Sequence, residues 1–555
     1  MSRIANEVKN NKSSGSTVVN FMGGKNYTLS PLETLKMISA SSIFGEPSYY
    51  RPSKEMPRQV DKLIGENDVL YNYQGRTTTQ IMEDAIDKAL DYDFYATLDW
   101  ARDLRNEYNM RLNPQIIMVR AACHPKRAEF TASHPGVFAD IQEEVMRRAD
   151  EPSTQVAYYL YMNKSKAKMP TILKKTIANR LETASAYEIN KYKNAEIGMI
   201  DTVRICHANS AAINDLMNGN LHVEENDNTW EQLRSQGMGW EQIFNSIHMG
   251  HMALLRNLRG VFCEVGDIEF CRKYLAKLKN GVPGGKQFPF RYYSAYKAVQ
   301  QCHEINFQSM ILSALEECMD ISLDNMPKFK GRLMALSDNS GSAWGTIPTE
   351  YGSVKVAEID NLSAVIAAAR AEDGYVGKFG DKLKVYPISS RKGILAQARE
   401  ISADEGREVG QSTEGGVWEF FDKAITKEEK WDHIFIFSDQ QAGHGGLYGT
   451  SRQSEKYEQQ GYGVGPKYSY GIAMMNVFEM IQTYRRKVNN YVNVYSIQTA
   501  GYDNMVVPEH AYRTSIFSGW NGNFLTFAAM VNEQWDSLDD LHRNKKKNNS
   551  YSWED

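Results

Sequence analysis

Between residues 30 and 325 the apolar positions recur three and four apart, separated by short polar or Pro/Gly breaks, which is the spacing of helices that bury one face. "SPLETLKMISASSIF", "TTQIMEDAIDKALDYDFYATLDWARDLRNEY", "PQIIMVRAAC", "PGVFADIQEEVMRRA", "STQVAYYLYMN" and "PTILKKTIANRLETAS" all follow it. Strand-like alternation is scarce in this half. A long succession of helices of about 12 to 20 residues each predicts stacked helix pairs, an α-solenoid, rather than a single bundle.

After "DNMPKFKG" the pattern changes. Short apolar runs, "RLMALS", "KLKVYPI", "HIFIFS" and "VNVYSIQ", alternate with helical stretches such as "NLSAVIAAARA", "GVWEFFDKAI" and "YGIAMMNVFEMIQTYRRKV". That alternation predicts an α/β doubly wound unit, a parallel sheet covered on both faces. The expected organisation is multidomain: helices over residues 1–325, the α/β unit over 326–540, and a basic, disordered tail over 541–555.

At 555 residues the chain is too long for one ordinary core, in keeping with that division. It contains no apolar run of membrane-spanning length, and "MSRIANEVKNNKSSGSTVV" lacks the apolar centre of a signal peptide, so a soluble, cytoplasmic protein is expected. Six cysteines (Cys123, Cys206, Cys263, Cys271, Cys302, Cys318) include no CxxC pair. They read as reduced, buried thiols rather than a zinc site or disulfide framework.

The formal charge of -4 argues against a chain coated for nucleic acid, but the average hides two clusters. Lys164, Lys166, Lys168, Lys174, Lys175, Arg180, Lys191 and Lys193 face only Glu182 and Glu188, a local +6. From Arg256 to Lys297, nine basic residues including Arg259, Arg272, Lys279 and Arg291 face Glu264, Asp267 and Glu269, again +6. Such density supplies phosphate contacts. Aromatics interleave with it in "YEINKYKN" and "FPFRYYSAYK", offering faces for unpaired bases, although Tyr and Phe at helical spacing commonly belong to a core.

In the α/β half, two apolar runs end on acid, at Asp338 and Asp439, and the Gly-flanked loop "VGQSTEGGVWEFF" between them offers Thr413. With Ser340 and Ser342 these make an oxygen-only donor set of the kind Mg²⁺ prefers, placed beyond the carboxyl ends of strands where open α/β sheets bind ligands. The spacing resembles the metal-ion-dependent adhesion site of von Willebrand factor A domains: D-x-S-x-S, then T, then D. Ala343 and the stretch "WGTIPTEYG" depart from it by delaying the next helix. The competing readings are a turn in which Asp338 and the serines cap that helix, and an Asp338 phosphotransferase nucleophile, which ordinarily has a second acid where Ser340 stands.

Stretches of the helical half, "ARDLRNEYNMRLNPQIIMVRAACHP", "KYKNAEIGMIDTVRICHAN", "MALLRNLRG" and "FPFRYYSAYKAV", resemble in order the TROVE module of the Ro autoantigen family and its bacterial relatives. A TROVE module followed by an A domain is the Ro architecture. The resemblance implies a ring-like, HEAT-type α-solenoid whose ends are joined by the A domain. It implies binding of small noncoding Y RNAs on the outside and of single-stranded RNA ends in a central hole, in RNA quality control, with no catalytic activity. Exoribonucleases are the implied protein partners. Arg204 and His207, in "DTVRICHAN", match a family motif near the RNA-binding surface; Arg204 could equally pair with Asp201, and His207 could be purely structural. The alternative function is a scaffold with no RNA ligand, and an enzyme using the Asp338 metal would require a general base that these loops do not show.

Overall fold

The computed structural model describes residues 17–19, 25–40, 78–107, 110–163, 168–193, 197–222, 229–349, 352–410, 416–438, 464–467, 473–475, 477–499, 504–508, 511–518 and 524–550. Through the first half, helices follow one another from Pro31–Ala40 to Gln308–Ser322. Their boundaries have local causes. The long pattern at 78–106 is two helices, because the Asp93 carboxylate accepts from Ala96 N at 2.9 Å and starts a new one. Capping boxes open Ala186–Tyr192 (Ser185 with Glu188) and Trp230–Ser235 (Thr229 with Gln232), and Pro289 opens Pro289–Gln300.

Apolar residues of these helices, Leu98, Ile116, Ile177, Leu258, Phe262 and Tyr274 among them, are buried in one continuous core. Several polar groups inside it are matched. Arg105 pairs with Glu151 at 2.8 Å, and Gln155 donates to Gln115 at 2.7 Å while Gln115 donates to the Val145 carbonyl at 3.0 Å.

The second half is built on a six-stranded sheet whose order is Thr514–Ser518, Asn493–Gln498, His433–Ser438, Phe329–Asp338, Ala371–Phe379, Leu383–Pro387. The first five strands run parallel, and Leu383–Pro387 pairs antiparallel at the edge. This corrects the expected all-parallel sheet and adds two strands, Ala371–Phe379 and Thr514–Ser518, that the apolar runs did not mark. Both faces are covered. Leu333, Ala335, Phe435 and Tyr495 face one core with helices Val356–Ala369 and Ile394–Ser402. Met334, Leu336, Ile434 and Val494 face another with Gly416–Thr426 and Val477–Lys487. Alternate residues of a strand point to opposite faces, so these central strands are apolar throughout.

The α/β unit meets both ends of the helical array. At one end, strand Lys25–Thr28 pairs antiparallel with Asn504–Met505, and helix Pro31–Ala40 packs on strand Thr514–Ser518. At the other, Arg399 pairs with Glu316 at 2.9 Å, the Asp320 carboxylate accepts from Ile394 N at 3.0 Å, and Lys297 pairs with Glu358 at 3.0 Å. The basic stretch assigned to a disordered tail is helical as far as Ser550, continuing Phe524–Ser550; residues 551–555 lie outside the described part.

Candidate functional site

Helix Thr171–Glu182 turns Leu173, Ile177 and Leu181 into the core, all fully buried, which leaves Lys174 half-exposed and Lys175 exposed on its outer side. Lys168, just before the helix, and Lys193, just after Ala186–Tyr192, are exposed as well. Among the described residues none of these four lysines has a carboxylate within ion-pair distance. Lys164 and Lys166 lie outside the described residues.

Arg180 differs. Its guanidinium donates to the Met146 and Arg147 carbonyls at 2.9 and 3.0 Å and pairs with Glu188 at 2.8 Å, so it ties neighbouring turns together. Burial would raise the Glu188 carboxyl, but hydrogen bonds from Arg180 and the Ser185 backbone outweigh it and hold it below the usual carboxylate range. Lys191 lies over the rings of Tyr187 and Tyr192, 5.5 Å from each centroid, and the Tyr187 ring is itself exposed. The fold adds two basic residues from another segment: Arg148 lies 4.8 Å over Tyr192, with exposed Arg147 beside it. Their only sequence signal was the dibasic pair in "VMRRAD".

Arg204 is exposed and sits 3.8 Å from Asp201, one turn earlier on the same helix. His207 ends that helix in the left-handed region at φ 61°, its N–H bonded to the Val203 carbonyl and its ring in solvent. Arg256 and Arg291 are both exposed on the second cluster. Four other cations of that cluster are committed, Arg272 to Glu269 at 2.5 Å, Lys279 to Glu317 at 2.8 Å, Lys297 to Glu358, and Lys277 over the Phe244 ring at 4.6 Å, whereas Arg259, Lys273 and Lys286 are exposed.

Asp338 ends the central strand, at the point where the strand order reverses between Phe329–Asp338 and His433–Ser438. Such a switch point opens a crevice between neighbouring loops. Asp338 is fully buried: Oδ1 accepts from Ser340 N at 2.9 Å, and Oδ2 accepts from Ser438 Oγ at 2.7 Å across the two strands. The Ser340 and Ser342 hydroxyls stand 3.2 Å apart, the first buried and the second exposed. Asp338, Ser340 and Ser342 thus converge as oxygen donors that fit a hard dication. Thr413 and Asp439 lie outside the described residues. Gly416, which opens helix Gly416–Thr426, has no room for a side chain because a Cβ would lie 2.1 Å from that of Phe379.

Sequence reasoning missed the support behind this site. Asn361 accepts from Ser337 at 2.7 Å and from Asn339 at 2.8 Å and donates to Ser402 at 2.9 Å, fixing the turn after the strand. Buried Asp360 accepts from Thr499 at 3.1 Å, and Thr499 N bonds the Ser438 carbonyl. A buried Asn-Asn pair has no signature in sequence, since its members are remote until the sheet forms.

Cys206, Cys271 and Cys318 are buried as expected, whereas Cys123 and Cys263 are exposed and Cys302 is half-buried. No helix among the described residues is long and apolar enough to cross a membrane.

No family model and no curated protein matches this sequence. Among solved structures, the crystal structure of the Deinococcus radiodurans Ro (RSR) protein matches with a TM-score of 0.52 and 13% identity, covering 80% of this chain and 94% of that one. At that identity the likeness is one of fold. This chain, a helical solenoid joined to an α/β doubly wound unit, therefore has the fold of the Ro (RSR) protein over most of both chains.

Proposed function

We propose that this protein belongs with the Ro proteins in function as well as fold. It binds small noncoding RNAs of the Y RNA kind and the single-stranded ends of structured or misfolded RNAs, as an RNA quality-control or ribonucleoprotein scaffold protein. The observation that carries the reading is the set Lys168, Lys174, Lys175 and Lys193, solvent-facing ammonium groups with no carboxylate partner among the described residues. Cations left uncompensated within the chain are available to phosphates, and their affinity comes from counterion release. Tyr187, exposed beside Lys191, suits an unpaired base. The test is filter retention of a labelled hairpin RNA with a single-stranded 3′ tail at low salt. Retention that disappears when the four lysines are changed to glutamate supports the reading; no retention by the wild type favours the scaffold without RNA.

The α/β unit serves a second ligand. Asp338, Ser340 and Ser342, with Thr413 and Asp439, would hold Mg²⁺, whose Lewis acidity is left for an acidic side chain of a protein partner such as an exoribonuclease. Within the chain, Ser438 Oγ and the Ser340 N–H donate to the Asp338 carboxylate and orient it. The activity is binding, not turnover. Chelator should abolish capture of the partner while RNA retention persists. Mg²⁺-dependent RNA hydrolysis that is lost in Asp338→Ala would instead revive the enzyme reading.

A further inference from the structure

We propose that Cys263 and Cys302 form a peroxide-oxidisable thiol pair, a site of reversible intramolecular disulfide modification at the surface of the helical array. Their sulfurs stand 3.7 Å apart although 39 residues separate them in sequence. Cys263 is exposed and Cys302 half-buried, so an oxidant in solution reaches the pair, unlike buried Cys206, Cys271 and Cys318.

The approach is fixed by the backbone on both sides. Cys263 lies in the last turn of helix His251–Glu264, whose end is held by Val265 N bonding the Val261 carbonyl. Cys302 follows helix Pro289–Gln300, and its N–H bonds the Val299 carbonyl at 3.1 Å. Asn306 then clamps the two segments: its N–H bonds the Phe262 carbonyl at 2.8 Å and its side chain bonds the Val265 carbonyl at 3.3 Å. Gln308 bonds the Cys302 carbonyl at 3.1 Å. The thiols therefore face each other from anchored turns, with only the gap from 3.7 Å to the ~2 Å of an S–S bond left to close. Burial, and the hydrogen bond with Cys302, push the Cys263 thiol up, so oxidation proceeds through a minor thiolate fraction and calls for excess peroxide.

With hydrogen peroxide as oxidant the chemistry balances. The Cys263 sulfur attacks one peroxide oxygen; an S–O bond forms, the O–O bond breaks, and the departing hydroxide takes the thiol proton as water. The Cys302 sulfur then attacks the Cys263 sulfenic acid; the S–S bond forms, the S–O bond breaks, and a second water leaves with the Cys302 proton. Two thiols are oxidised by two electrons and one peroxide becomes two waters.

The experiment treats the reduced full-length protein with hydrogen peroxide, unfolds it, titrates its thiols and maps its peptides. Titratable thiols should fall from six to four, one cross-linked peptide pair should carry Cys263 and Cys302 two hydrogens lighter, and dithiothreitol should restore all six. In Cys302→Ser the reaction should stop at a Cys263 sulfenic acid captured by dimedone, while Cys123→Ser should leave the cross-link unchanged. Six thiols surviving peroxide, or thiol loss in the wild type without the Cys263–Cys302 peptide, overturns the proposal. The wild-type peptide map decides by itself if Cys302→Ser fails to fold.

Discussion

The two basic stretches of the helical half carry the same formal excess and use it differently. From 164 to 193, Arg180 is built into the fold and four described lysines are left to solvent. From 256 to 297, Arg272, Lys279 and Lys297 are paired with carboxylates, two of them on other helices, and Lys277 lies over an aromatic ring, while Arg256, Arg259, Lys273, Lys286 and Arg291 are exposed. Net charge of a segment is thus a poor guide to what the segment can bind. What counts is the charge that folding does not consume, because an ammonium already paired must give up that partner before it neutralises a phosphate.

The largest effect should follow from Lys168, Lys174, Lys175 and Lys193 changed together to glutamate. RNA affinity at 0.1 M salt is expected to fall roughly 10³-fold, and the slope of log affinity against log salt to shrink by about 3. An unchanged slope, measured by filter binding across a salt series, would break the comparison.

Acid sensitivity should arise in the α/β core. Burial pulls the His433 imidazole down to about 4, against about 6.5 when unfolded. The unfolded chain binds the extra proton in that window, so stability is complete above pH 6.5 and is lost as the pH falls toward 4, by up to ~3 kcal/mol. Urea midpoints taken through this range should drop for the wild type and flatten for His433→Gln. A midpoint that stays constant for the wild type through this range would overturn the assignment to His433.

Asp338→Ala removes the acceptor of both Ser438 Oγ and Ser340 N, and should cost about 1–3 kcal/mol in urea unfolding. It should also erase any rise in melting temperature produced by Mg²⁺. RNA affinity should stay within about twofold if the lysine face acts independently, since no lysine contact is touched. The smallest effect is expected in the second cluster: a double-mutant cycle on Lys297 and Glu358 should give under about 1 kcal/mol of coupling. Lys297→Ala should leave RNA binding nearly unchanged; a tenfold loss there would erase the distinction between the stretches.

Much of the helical half was legible because its causes are local. Asp93, Ser185, Thr229 and Pro289 announce helix starts wherever the chain ends up, and three- and four-residue spacing marks the buried face. The sheet was half legible. Ala371–Phe379 reads as loop because it holds Asp373, two glycines and Lys378, yet each is demanded by packing. A Cβ at Gly374 would lie 1.9 Å from the Ala368 carbonyl oxygen, and the fully buried Lys378 ammonium donates to the Ile401 carbonyl at 2.8 Å and pairs with Asp404. The antiparallel course of Leu383–Pro387 is a property of its connection, not of its residues.

At the candidate metal centre, the donors Asp338, Ser340 and Ser342 could be read from their spacing after an apolar run, because the loop that gathers them is continuous. The Ser438–Asp338 bond could not, since it joins residues 100 apart. For the proposed RNA face, sequence marked the basic stretch but could not separate Arg180, consumed by two carbonyls and Glu188, from its lysine neighbours. Nor could it bring in Arg148, which reaches Tyr192 only once the helices stack.

Strand pairing at Lys25–Thr28 and the Glu316–Arg399 pair lie at opposite ends of the helical series, yet both terminate on the same body. An open stack of repeats can change pitch at one joint and let its free end swing. Here no end is free, so a twist introduced at any helix pair must be absorbed by the others or by one of the two fastenings. The array is mechanically a hoop with a rigid clasp, and loosening the clasp at residues 504–505 would soften curvature on its far side without touching a single helix there.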